Sequence, residues 1–136
     1  SVEERSRLVN SPDVAAVVAK FAEVDVAIVG IGELEPSQLL KNSGNYYNED
    51  MLHLLSERGA VGDICLHYYD AAGNPVLSHE EDPVIGMELE QIRACKQVIA
   101  LAGGADKQNA IRGALQGNYI DVLITDYPTA RSLVAG

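Results

Sequence analysis

Three short stretches of the 136-residue sequence set residues capable of polar chemistry beside glycine. In AGGADKQNAIRGAL, residues 102–115, Gly103 and Gly104 precede Lys107 at the point where a helix begins. Helix N-termini carry partial positive charge and favour Asp or Glu in the first turn, so a lysine there works against the dipole. Glycine permits positive φ and close backbone approach, and a starting helix offers free N–H groups. Together with the Lys107 ammonium these would suit a phosphate or a carboxylate. The same residues also describe an ordinary tight turn with an exposed lysine. In GAVGDICLHYYD, residues 59–70, Asp63 lies among apolar neighbours, where a carboxylate is costly to bury unless it is paired or hydrogen-bonded. It is either an acceptor that stabilises a turn or a contact for ligand hydroxyls. In DVAIVGIG an apolar run ends in Gly30 and Gly32. The following GIGELE carries Glu35 where the dinucleotide fingerprint needs its third glycine, and an acidic loop repels pyrophosphate; it reads as a strand-end turn.

The remaining reactive residue types form no constellation. His53 falls within a helix pattern, His67 on a mixed strand and His79 in the acidic HEED segment, none beside a Ser, Cys or Asp in nucleophile geometry. Cys65 and Cys95 are far apart and lack partners in ligand spacing, so neither a disulfide framework nor a zinc site is implied. No catalytic residue, metal or cofactor is expected.

The elements that must position these groups follow from periodicity. SPDVAAVVAKFA starts a helix with Ser11 as cap, Pro12 in the first position, and Val14, Val17, Val18 and Phe21 on one stripe. DVAIVGIG and QVIALAGG are continuous apolar runs that predict strands buried on both faces. Residues 33–47 read as a polar loop, after which Asn48 opens a helix that Gly59 closes. The stretch from Val61 to Tyr69 alternates and predicts one strand with two unlike faces; Asp70 to Pro75 make a turn into a short returning strand, and HEED is a solvated acidic loop. Asp106 to Gln116 form a helix with Ala110, Ile111, Ala114 and Leu115 inward and Arg112 outward, DVLITD a strand, and YPTARSLVA a helix. The alternation implies right-handed crossovers and an α/β fold: a mostly parallel sheet with flanking helices in a Rossmann-like layer architecture. Gly30 and Gly32, Gly103 and Gly104, and Thr125 and Asp126 would then share the carboxyl edge of the sheet, where open α/β folds bind ligands. A strand from Val61 running parallel to the others would put Asp63 at the opposite edge, so either that strand is antiparallel or Asp63 is structural.

The chain carries 20 acidic and 10 basic residues for a formal charge of −10, which disfavours nucleic acid or an anionic membrane as a direct partner of this chain. No apolar run approaches the roughly 18–20 residues that cross a bilayer, and no targeting segment opens the chain. A reducing cytoplasm is the expected compartment. The opening at Ser1, directly in helix-like sequence, reads as part of a longer domain.

Taken together, DVAIVGIG, GAVGDICLHYYDAAGNPV, AGGADKQNAIRGAL and IDVLITDYPTA resemble the sugar-binding effector domain of the SorC family of bacterial transcriptional regulators, along nearly all 136 residues. The resemblance implies a fold similar to ribose-5-phosphate isomerase and glucosamine-phosphate isomerase, with a phosphorylated sugar bound as inducer. It implies Lys107 as the lysine of A-G-G-x-x-K, contacting the sugar or its phosphate, and Asp63 as the acidic residue of G-D-I, taking sugar hydroxyls. Gly32 and the polar loop after it would help wall the site, beside the Gly103–Gly104 turn. It further implies a homo-oligomeric parent that binds DNA through a separate helix-turn-helix. That helix-turn-helix and the first effector-domain strand are absent from residues 1–136, which read as the later portion of a single effector domain. The expectation is a non-enzymatic sensor; the alternative is a fragment of a sugar-phosphate isomerase or deaminase with Asp63 as a base.

Overall fold

A computed structural model describes residues 1–35, 38–44 and 48–136. In chain order the elements are α1 (Val2–Val9), α2 (Pro12–Lys20), β1 (Val26–Gly30), β2 (Gly32–Glu33), α3 (Gln38–Ser43), α4 (Glu49–Glu57), β3 (Ala60–Ile64), β4 (His67–Asp70), α5 (Leu89–Arg93), β5 (Gln97–Leu101), α6 (Gln108–Gln116), β6 (Val122–Ile124) and α7 (Tyr127–Ala135), with 3₁₀ turns at Phe21–Glu23 and Ala105–Lys107. They form two sheets, a parallel β1-β5-β6 and an antiparallel β2-β3-β4. The architecture is α/β with a helix-flanked parallel sheet, as the alternation of elements implied.

The parallel sheet pairs Ala27 with Val98 and Ile99 with Val122. Its inner face presents Ala27, Val98 and Ala100 to the apolar stripe of α6, made by Ala110, Ile111 and Ala114 at helical spacing. Tyr69 and Tyr119 close this core: the Tyr69 hydroxyl donates to the Ala110 carbonyl at 2.7 Å, the Tyr119 hydroxyl donates to the Gly73 carbonyl, and the Arg93 guanidinium lies 4.6 Å over the Tyr119 ring. A smaller core of Leu55, Ala60, Tyr68 and Leu77 lies against the antiparallel sheet.

Several local expectations hold. The Asn48 side chain caps α4 by accepting the Met51 N–H at 2.9 Å, and Gly59, with φ of 81°, ends it. Asp70 holds the next turn by accepting the N–H groups of Ala72 and Asn74 at 3.0 and 2.8 Å.

Others are corrected. The stretch from Val61 to Tyr69 is two strands: the chain reverses at Cys65 and Leu66, whose φ values of 55° and 66° make the doubly left-handed turn of a two-residue hairpin. Alternation continues through such a turn, so periodicity does not mark it. The returning strand expected after Asp70 is one bridge, Tyr69 to Pro75. Within 33–47, residues 38–43 are helical, while residues 36–37 and 45–47 lie outside the described residues. Helix α2 buries none of its side chains, so the stripe from Val14 to Phe21 is not a core face. Arg112 lies outward as expected but is held there, donating to the Ser132 carbonyl of α7 at 2.8 Å in an exposed hydrogen bond. DVAIVGIG is buried on one face only, with Val26 and Ile28 exposed on the other.

Helix α6 reaches the β3–β4 hairpin because glycines face it. A Cβ at Gly62 would lie inside contact distance of the Ala110 side chain and of the Gly32 carbonyl; one at Gly113 would lie 2.9 Å from the Asp70 carbonyl and from Val61 Cγ2. Gly62→Ala is therefore expected to lower stability by about 1–3 kcal/mol. Gly30→Ala, where a Cβ meets nothing within 4 Å, should change it by less than about 0.5 kcal/mol. Urea denaturation of the two variants tests the contrast.

Candidate functional site

Because β1, β5 and β6 are parallel, their carboxyl ends share one edge, with Gly30 opposite Leu101 and Leu101 opposite Ile124. At that edge Gly104 takes φ of 104° and donates its N–H to Asp126 Oδ2 and to Thr129 Oγ1, both at 2.9 Å. A Cβ at Gly103 would fall on the Asp126 carboxylate. The turn is thus closed onto Asp126, which also caps α7 by accepting the Thr129 N–H at 2.9 Å. The Thr129 N–H and hydroxyl, then the Gly104 N–H, hold the Asp126 carboxyl below its ordinary range against a small opposing effect of desolvation. The anion bound by the glycine turn is a side chain of the chain itself, and the Gly104 N–H is not open to a ligand.

Lys107 does not sit inside a helical first turn as expected. It ends the 3₁₀ turn, where its N–H donates to the Gly104 carbonyl at 3.1 Å, and stands at the cap position of α6. Among the described residues Lys107 forms no salt bridge. Its charge acts on Asp63. That residue reaches the edge because β3 runs antiparallel to β2 and pairs Asp63 with Gly32, which follows the tip of β1. The alternative posed by the sequence resolves to the antiparallel strand.

The structure therefore brings Gly32, Asp63 and Lys107 together, with Gly103 and Gly104 on the neighbouring tip. Gly32 is required for this: any Cβ there would collide with Asp63 Oδ1. The Asp63 carboxylate accepts the Leu66 N–H at 3.0 Å, which locks the hairpin turn. Burial raises its pKa above the ordinary 3.8, while the Leu66 N–H and the charges of Lys107 and His67 oppose the rise. One carboxylate thus stabilises a turn and stands at the carboxyl edge beside Gly32. Two polar residues of this region were not expected to take part. Thr125 Oγ1 and Gln108 Oε1 are buried without a hydrogen-bond partner, and Thr125 Oγ1 lies 3.1 Å from where a Gly103 Cβ would be. Thr125 was legible as a strand tip; Gln108 carried no signal beyond its place after Lys107.

The histidines all meet carboxylates. His53 pairs with Glu57 at 3.2 Å, His79 with Glu88, and the buried His67 Nδ1 with Asp82 Oδ2 at 2.7 Å. In the HEED segment His79, Glu80 and Glu81 are exposed as expected, Glu81 pairing with Arg58 at 2.9 Å, whereas Asp82 is buried. Burial works against ionisation of Asp82, but the His67 and Val84 hydrogen bonds outweigh it and hold the carboxyl below its ordinary range. Cys65 is exposed in the hairpin turn rather than packed in a strand, and its thiol is shifted up by desolvation and by Asp63. Among the described residues no group of three His, Cys, Asp or Glu could hold a metal ion, and no helix is long and apolar enough to cross a membrane.

Comparison with known proteins decides the family. The family profile described as "Putative sugar-binding domain" matches residues 1–135. The chain belongs to this family of sugar-binding domains. The sugar-binding domain is 40% identical over 118 residues to the deoxyribonucleoside regulator of Bacillus subtilis, covering 87% of this chain and 37% of that protein. It is similar in structure to the sugar-binding domain of the transcriptional regulator DeoR from Pseudomonas syringae pv. tomato, with TM-score 0.70, 45% identity, and coverage of 94% of this chain and 47% of that one. It also resembles the full-length sorbitol operon regulator SorC from Klebsiella pneumoniae, with TM-score 0.87, 29% identity, and coverage of 98% and 43%. These relatives are named as regulators of transcription, not as enzymes. The domain spans about two-fifths of the length of the curated relatives it matches and about half of most of the solved chains.

The burial of Asp63 gives a pH signature. With its folded pKa above the unfolded 3.8, its stabilising contribution is complete below the unfolded value and is lost as pH rises through the raised folded one. Asp63→Asn, which keeps an oxygen to accept the Leu66 N–H, is expected to raise the melting temperature relative to the parent at pH 7 more than at pH 3.5. Parallel thermal melts across that range read the difference; an unchanged difference would place Asp63 in a solvated setting.

Proposed function

We propose that this sugar-binding domain is the effector sensor of a sugar-responsive transcriptional regulator and takes a phosphorylated sugar at the carboxyl edge of the β1-β5-β6 sheet. Asp63 accepts hydrogen bonds from sugar hydroxyls, as a buried carboxylate with spare lone pairs can. Lys107 meets the phosphate or an oxygen of the sugar. Gly32 keeps the floor low enough for both, and Gly103 and Gly104 shape the adjoining wall. The observation that carries this reading is a lysine with no salt bridge among the described residues whose charge acts on a half-buried carboxylate, at the carboxyl edge of the sheet in a domain whose family is named for sugar binding. The Gly104 N–H is engaged by Asp126, so the phosphate takes its backbone contacts from other N–H groups.

In this reading residues 1–136 are the later portion of one effector domain. Operator DNA is bound by a separate helix-turn-helix domain of a cytoplasmic, homo-oligomeric parent, and no residue acts in catalysis. The sugar phosphate shifts DNA binding because its affinity differs between two conformations or assembly states. Thermal-shift measurements on the whole regulator, with pentose and hexose phosphates and the matching unphosphorylated sugars, test the reading. Ligand at about one hundred times its Kd stabilises by roughly 2.7 kcal/mol, so a true effector phosphate raises the melting temperature by several degrees and its unphosphorylated sugar does so less. Lys107→Ala abolishes the gain. Equal stabilisation of the Lys107→Ala protein, or conversion of the bound sugar phosphate to product, would overturn the reading.

A further inference from the structure

At the carboxyl edge the Gly104 N–H, the Thr129 hydroxyl and the Asp63 carboxylate each have a partner. Gln108 Oε1 and Thr125 Oγ1 do not: both atoms are buried, with no hydrogen-bond partner among the described residues. Buried polar atoms are almost always paired, so an orphan calls for an explanation. The topology places both orphans. In the strand order β1-β5-β6 the middle tip leads into Gly103, Gly104 and Lys107. Gly32 and its register partner Asp63 follow the β1 tip, and Thr125 follows the β6 tip, so Asp63 and Thr125 flank the Lys107 turn from opposite sides. The Thr125 hydroxyl lies 3.1 Å from where a Gly103 Cβ would stand. Around α6, Ala110 and Gly113 face the hairpin, whereas Arg112 faces α7, where it bonds the Ser132 carbonyl. Gln108 precedes Arg112 by four residues and so shares its flank, one turn nearer the carboxyl edge.

We propose that Gln108 and Thr125 form a second pole of the effector site, reading a sugar hydroxyl on the β6 side of Lys107 while Asp63 reads another on the β1 side. The inference rests on the sugar-phosphate reading and adds to it: two specificity-determining residues, and an effector that carries two separated hydroxyls. The chemistry fits a hydroxyl better than a phosphate. An amide oxygen accepts, a threonine hydroxyl donates and accepts, and a sugar hydroxyl does both, so one such group satisfies either orphan. A phosphate dianion has no donor to offer the amide oxygen. The arrangement is also selective. A site built to bond a hydroxyl discriminates against the analogue that lacks it, because the protein's own polar group is then left unpaired. A buried acceptor without a donor has lost its water, so these two atoms cost the domain stability until a hydroxyl meets them.

Calorimetric titration of the whole regulator with ribose 5-phosphate, fructose 6-phosphate, glucose 6-phosphate and their analogues lacking one hydroxyl each tests the proposal. Gln108→Met and Thr125→Val, which keep the bulk of the side chain and remove its hydrogen-bonding atom, are titrated alongside. For the sugar phosphate that the unsubstituted regulator binds most tightly, each variant is expected to weaken binding about three- to tenfold, the worth of one hydrogen bond. The affinity ratio between that sugar phosphate and the deoxy analogue lacking the matching hydroxyl falls toward one in the variant. The melting temperature without sugar holds or rises, because the orphan atom is gone. A merely structural role would instead lower it. Unchanged affinity in either variant overturns the proposal and leaves the buried atoms to ordered water. A loss of affinity equal for every deoxy analogue, or accompanied by melting several degrees lower, overturns it as well. The two readings fail separately: if Lys107→Ala abolishes binding while Gln108→Met and Thr125→Val keep it, only the second pole falls. If the unsubstituted regulator binds none of the sugar phosphates, the sugar-phosphate reading falls with it.

Discussion

The close approach of α6 to the β3–β4 hairpin is the constraint on which the arrangement depends. Gly62 and Gly113 remove the side chains that would hold the helix away, and the Tyr69 hydroxyl then bonds the Ala110 carbonyl across the gap. Close packing of this kind gains dispersion contacts and excludes water, and it admits no extra methylene without strain. It fixes the antiparallel sheet relative to the parallel one. It therefore also fixes where Asp63 stands relative to the start of α6, and hence to Lys107.

From that constraint the candidate site follows with little freedom. Gly32 and Asp63 are register partners, and the absent Cβ of one makes room for the carboxylate of the other. The same carboxylate holds a turn whose two central residues, Cys65 and Leu66, both lie in the left-handed region. Neither is glycine or asparagine, so the turn costs conformational energy that the hydrogen bond from Leu66 and the packing of the hairpin must offset. Desolvation of Asp63 and the nearby ammonium of Lys107 act in opposite directions on its ionisation. A carboxylate and an ammonium so placed, neither in a salt bridge, offer an acceptor for hydroxyls beside a cation. That pairing is what the regulators' sugar-binding family leads one to look for.

The glycine turn between β5 and α6 shows how local chemistry and long-range structure divide. Gly103, Gly104 and Lys107 were legible as a tight turn before a helix. What was not legible is that Asp126, more than twenty residues on, would occupy the turn's N–H and fill the space beside Gly103. Likewise His67 and Asp82 lie 15 residues apart and meet only because the chain from Ser78 to Val84 folds back over β4. The HEED segment looked solvated because charge density is a local property, whereas the burial of Asp82 depends on a partner supplied by tertiary contact.

By itself the sequence determined the alternation of strands and helices about a parallel sheet, the cap at Asn48, the turn held by Asp70, and the residue types at the carboxyl edge of that sheet. Periodicity and turn chemistry act within a few residues and survive any context. Only the tertiary structure decided that Val61 to Tyr69 is a hairpin, that Asp63 pairs with Gly32 and feels the charge of Lys107, and that Val26, Ile28, Leu101, Val122 and Ile124 are exposed on one face of the β1-β5-β6 sheet. Alternation runs unbroken through a two-residue turn, and pairing between distant residues is set by packing. An apolar strand also has the same sequence whether one of its faces is covered or both.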